Sequence, residues 1–61
     1  MRTSELIKIL RKNGCRLYRH GSNHDTWISD RTGKKFVVPR HLSKEIPSGT
    51  LQKILKDAGL N

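Results

Sequence analysis

The chain is short of almost everything a small domain uses as a staple. Cys15 is its one cysteine in 61 residues, so no intrachain disulfide can form. Domains below roughly 70–80 residues bury little core and commonly lean on a disulfide, a metal or a partner. A lone thiol fits a reducing compartment, and Cys15 reads as a small core filler. Prolines number two, and tryptophan, tyrosine and phenylalanine occur once each. No apolar run approaches the roughly 18–20 residues needed to cross a bilayer. The opening "MRTSELIKIL" lacks the apolar stretch and cleavage site of a secretory leader. The expectation is one domain over residues 1–61, cytoplasmic and free of membrane.

Acids are the other scarcity. Five Asp and Glu stand against thirteen Lys and Arg, a net charge of +8. A domain this basic attracts polyanions, nucleic acid first and anionic membranes second. From Lys8 to Arg19 there are five basic residues and no acid, and from Arg31 to Arg40 four more, again with none. Two such stretches in so short a chain favour contact with nucleic acid over charge carried for solubility alone.

The apolar pattern gives the architecture. Leu6, Ile9 and Leu10 recur at helical spacing, with Ile7 alongside, so Ser4 to Lys12 reads as an amphipathic helix. Thr3 or Ser4 is the expected cap, and Asn13-Gly14 the stop. Cys15 to Arg19 alternates as a strand, "HGSN" interrupts it, and Asp25 to Ser29 forms a second strand carrying Trp27. "SDRTG" turns into a third strand, Lys34 to Val38, which Pro39 ends because proline cannot donate to a ladder. After the connection "RHLSKEIPSGT", Leu51, Ile54, Leu55 and Ala58 mark a second helix from about Gly49, stopped at Gly59. The economical arrangement is α+β: α-β-β-β-α, a three-stranded antiparallel sheet with both helices on one face.

Few residues offer chemistry. His20 and His24 are spaced like half a zinc site, but a structural zinc site wants four ligands, and only one cysteine and scattered acids remain; no metal and no cofactor are expected. Ser22 with His24 suggests a nucleophile and base. Asp25, however, is adjacent in a strand and points to the opposite face, which leaves a hydrolase triad without its orienting acid. RNA cleavage asks for less, because the 2′-hydroxyl is a nucleophile within the substrate. Histidine as a residue type titrates near neutrality and can move the protons, and Lys and Arg can stabilise the charge that develops. On chemistry alone His24 is either the general acid/base of such a reaction or an ordinary member of its loop.

"SELIKILRKNG", "GSNH", "FVVPRH" and "IPSGTLQKILKDAGL" together resemble the HicA toxins, small mRNA interferases of bacterial toxin–antitoxin pairs, over nearly the whole chain. The resemblance implies a fold similar to double-stranded-RNA-binding domains, agreeing with the element order read above. It implies a metal-independent endoribonuclease that cleaves mRNA with a single catalytic histidine in the loop before the second strand. Many members carry that histidine directly after Gly-Ser or Gly-Gly; here Asn23 stands at that place and His24 follows. Trp27, three residues on, supports His24 as the match. Ser22, Asn23, Arg19, Lys35, Arg40 and His41 are then candidates to bind RNA or orient His24. The family also implies a HicB-like antitoxin that restrains the enzyme in a heteromeric complex. A non-catalytic RNA-binding module of the same fold, or a domain that meets only an acidic protein, are the other readings of this charge.

Overall fold

The computed structural model describes residues 1–60. Helix α1 (Thr3–Lys12) leads into a meander of β1 (Cys15–His20), β2 (His24–Ser29) and β3 (Lys35–Pro39), and helix α2 (Ser48–Ala58) closes the fold. The sheet order is β1-β2-β3, antiparallel throughout. This is the expected α+β order of a double-stranded-RNA-binding-domain-like fold. Among the described residues, no helix is long and apolar enough to cross a membrane.

Alternation along the strands sorts the side chains. Cys15, Trp27, Ser29, Phe36 and Val38 are buried, and Leu17 packs against them. Leu17 pairs with Trp27, which pairs with Phe36 across the next ladder, so one row of the buried face runs through all three strands. Leu6 and Leu10 from α1, Ile54 and Ala58 from α2, and Ile46 from the connection cover that face. Fully burying a side chain such as Leu10 or Val38 contributes about 1.5–3 kcal/mol. Trp27 is core; its Nε1 donates to no acceptor among the described residues, and the Arg11 guanidinium lies 5.2 Å from its ring centroid. Cys15 is free and buried, the expected filler.

The helix ends differ from the sequence reading. Arg2, not Thr3 or Ser4, is the cap residue of α1, and its main-chain N–H donates to Glu5 Oε1 at 3.2 Å. Thr3 is fully buried, and its N–H reaches the Lys44 carbonyl at 3.1 Å while Ser4 N–H reaches the Leu42 carbonyl at 3.0 Å. The unpaired donors of the first helical turn are thus satisfied by the 40–47 connection rather than by a side-chain cap. An Arg2–Glu45 bridge and Ile46 N–H on the Met1 carbonyl (3.0 Å) continue that seam. Helix α2 begins at Ser48 after Pro47 and ends at Gly59, left-handed at φ 78°. Pro39 sits inside β3 rather than beyond it. It is the last residue of an edge strand, where a missing donor is tolerated.

One irregularity shapes the sheet. Leu17 pairs with Trp27, but Thr26 pairs with Arg19, so Tyr18 is an extra residue in β1. Such a bulge leaves two residues opposite one and increases local twist.

Candidate functional site

The turn between β1 and β2 is built on a close approach. A Cβ on Gly21 would lie 2.2 Å from the His24 carbonyl oxygen, so only glycine fits. The chain therefore folds tightly back on itself before His24, the first residue of β2.

Arg40, just past β3, clasps this turn. Its Nη1 donates to the Gly21 carbonyl at 2.8 Å, and its main-chain N–H reaches the Asn23 carbonyl at 3.4 Å. Asp25 sets the clasp. Its Oδ1 lies 3.5 Å from Arg40 Nε and 3.2 Å from His20 Nδ1, and its side chain is only 18% exposed. His20 and Asp25 are cross-strand partners. The acid that points away from His24 thus holds the loop that presents it. Sequence reasoning set Asp25 aside because it is adjacent to His24. The signal was present nonetheless: in a hairpin closed through residues 21–24, His20 and Asp25 stand directly opposite.

His24 is exposed and pairs with Pro39. It lines two adjoining depressions. One, of about 450 Å³, runs along β3 toward α2 and includes Lys35, Pro47, Thr50 and Lys53. The other, of about 370 Å³, includes Asn23, His41, Lys44 and Glu45. Histidine, two lysines, a threonine hydroxyl and the Asp57 carboxylate thus border the first, and two histidines, a lysine and the Glu45 carboxylate the second. Proton transfer and anion binding are the chemistry such a lining can do. Lys53, Thr50 and Lys44 were not singled out from the sequence, since they lie on α2 and the connection, far from the loop in the chain.

The remaining candidates are distributed around this centre. Asn23 and His41 join His24 in the second depression. Ser22 is exposed at the turn. Arg40 aims two nitrogens at protein acceptors rather than outward. Arg19 pairs with Thr26 on the uncovered face of the sheet. Lys35 borders the first depression and lies with its Nζ 4.1 Å from the Tyr18 ring centroid. That ammonium, by hydrogen bond and by charge, holds the Tyr18 phenol below its usual range.

Residues 3–60 match the family model described as the HicA toxin of bacterial toxin–antitoxin systems. The chain is 37% identical over 60 residues to a protein of Photorhabdus laumondii subsp. laumondii called probable mRNA interferase HicA 2, covering 98% of each. No solved structure matches the chain. With nearly every residue inside the match, this chain belongs to the HicA toxin family.

Proposed function

We propose that this toxin is a metal-independent endoribonuclease that cleaves mRNA in the cytoplasm, with His24 as its general acid/base. The observation that carries the reading is the presentation of His24. It is exposed, it borders two depressions that each carry lysine, and it follows a turn that only glycine at position 21 allows. The name of the Photorhabdus relative, an mRNA interferase, supports RNA as the substrate.

In this mechanism the substrate's 2′-hydroxyl attacks the adjacent phosphorus. His24 accepts the hydroxyl proton and, now protonated, delivers it to the departing 5′-oxygen. The P–O5′ bond breaks and a 2′,3′-cyclic phosphate remains. Charge that builds on the phosphorane oxygens is met by the ammonium group of Lys53 in the first depression and by that of Lys44 in the second. Asn23 and His41 border the second depression and orient the phosphodiester, with Ser22 exposed on the adjoining turn. The chemistry asks for no metal, because nucleophile and proton carrier are both supplied.

The test is cleavage of a long mRNA by purified protein. His24→Ala is expected to lower the rate by at least about 100-fold, the contribution typical of a positioned general acid/base, with melting unchanged. Cleavage by the unaltered chain persists in excess chelator, and products carry cyclic phosphate ends. A wild-type rate from His24→Ala moves the role to His41. Inhibition by chelator that a divalent ion reverses removes the metal-free mechanism. RNA binding without any cleavage leaves the non-catalytic module.

A member of a toxin–antitoxin family has an antitoxin partner, and we assign a HicB-like protein. An acidic partner seated over the His24 opening blocks RNA entry and offsets a net charge of +8. Binding the folded toxin alone also stabilises it by mass action, about 2.7 kcal/mol at a hundredfold excess over Kd. Co-purification with the product of an adjacent gene, together with recovery of cleavage on its removal, tests the assignment.

A further inference from the structure

The sheet has a second face that the helices leave uncovered. Register assigns its members. Arg16 pairs with Ile28 and Ile28 with Lys35; Arg19 pairs with Thr26 and Thr26 with Val37. These rows alternate with the buried Trp27 row, so they lie on the opposite side. Tyr18 joins them through the bulge, since the Lys35 ammonium stands 4.1 Å from its ring centroid. The strand positions on this face carry three cations and no acid. Tyr18 and Val37 are 52% and 53% exposed, among the most open large apolar residues of the chain.

A pleated face meant only for solvent has no use for an exposed aromatic. A face meant for an apolar protein partner has no use for three cations with no acid among its strand positions. Arg16 finds one acid, Asp30 beyond the strand end, at 3.5 Å with both side chains largely exposed, a contact worth little. Cations spaced around a half-exposed aromatic ring, with the Lys35 ammonium over one side of it, match single-stranded nucleic acid, in which phosphates follow the charge and an unstacked base takes the ring. A duplex does not offer a free base to such a ring. The direction fits as well. His24 continues the β2 positions occupied by Ile28 and Thr26, and Ile28 lies four residue steps from His24, about 13 Å at strand rise.

We propose that the open face of the sheet is a track for single-stranded RNA leading to His24, on which Tyr18 stacks one base and Arg16, Arg19 and Lys35 hold the flanking phosphates. This rests on the ribonuclease reading and adds to it a place for nucleotides beside the cleaved bond. The bulge at Tyr18 is the device that makes the track, because it turns two successive residues, Tyr18 and Arg19, toward the same face.

The experiment uses a labelled single-stranded oligoribonucleotide of mixed sequence. Anisotropy measures binding in a His24→Ala background, and steady-state cleavage is measured with His24 intact. Tyr18→Ala is expected to weaken binding about tenfold and to raise KM with little change in kcat. Tyr18→Trp, which keeps a stacking ring, retains the affinity, whereas Tyr18→Leu behaves like Tyr18→Ala. Lys35→Ala reduces the salt slope by about one, more than the same change at Lys56 on α2. Circular dichroism verifies that each variant is folded. Unaltered binding and KM in folded Tyr18→Ala and Tyr18→Leu, with the parent still cleaving, overturn the track and leave the ribonuclease standing. A parent that neither binds nor cleaves removes both. Loss of antitoxin co-purification in Tyr18→Ala, with RNA affinity unchanged, overturns the track in favour of a protein interface on this face.

Discussion

The two faces of the sheet are made from the same three strands and have almost nothing in common. The covered face holds Cys15, Leu17, Trp27, Phe36 and Val38, with α1 and α2 over them. The uncovered face holds Arg16, Tyr18, Arg19, Thr26, Ile28, Lys35 and Val37. Alternation with period two lets neighbouring residues belong to different tasks, packing on one side and charge on the other. In a chain this small, with no disulfide to hold it, one face must supply most of the stability. The other is then free to lose side chains without unfolding the protein.

The largest effect in that comparison belongs to the covered face. Leu10→Ala, at a position with no exposure, is expected to cost about 2–5 kcal/mol. A domain of this length has only roughly 3–9 kcal/mol in total, so much of the population unfolds. Urea titration followed by circular dichroism measures it. An equal loss from Arg16→Ala on the open face would erase the contrast between the two sides.

Next comes the loop that joins them. Gly21→Ala forces a Cβ into the His24 carbonyl. Shifting His24 by about 1 Å is expected to lower cleavage on the order of 100-fold, with a much smaller change in melting temperature. A variant that cleaves normally would show that the loop relaxes without moving His24.

Asp25→Ala should be milder. It releases His20 and Arg40, partly exposed pairs each worth about 0–1 kcal/mol. Stability therefore barely changes while cleavage falls several-fold. Loss of fold without a separable loss of rate would make Asp25 structural only.

The smallest effect is spectroscopic. Lys35 lowers the Tyr18 phenol from its ordinary range, because a nearby ammonium favours the phenolate. As the chain's one tyrosine, it can be followed by tyrosinate absorbance. Ionisation should begin at lower pH than in the unfolded chain, and Lys35→Ala should return it toward the ordinary value. With the folded phenol lowered, the linked stability accrues as pH rises through the folded phenol's range and is complete above the unfolded phenol's range. Coincident titration of folded and unfolded protein would place Lys35 away from the ring.

Much of this was legible in residue order, for physical reasons that differ by element. The helical spacing of Leu6, Ile9 and Leu10, and of Leu51, Ile54, Leu55 and Ala58, marked both helices because each buries one stripe. The strands were visible as alternation. The cap of α1 was not: Thr3 looked like a capping side chain, yet the carbonyls of Leu42 and Lys44, some forty residues away, satisfy the turn instead. The bulge was also hidden, because Tyr18 has no composition that distinguishes an inserted residue from a paired one. His24 stood out by its loop and by family resemblance. Lys53 and Lys44 could not, since what brings them near His24 is the return of the chain over β3.

Gly21 has a genetic consequence. Every amino-acid replacement at that codon, which takes a change in its first or second base, adds a Cβ where the His24 carbonyl already stands. The residue is exposed, and the core does not depend on it. In cells forced to make this toxin without its antitoxin, that codon is therefore expected to join His24 as a place where missense changes disarm the product and spare its fold. Survivors of such a selection should be enriched there, still accumulating full-length folded protein.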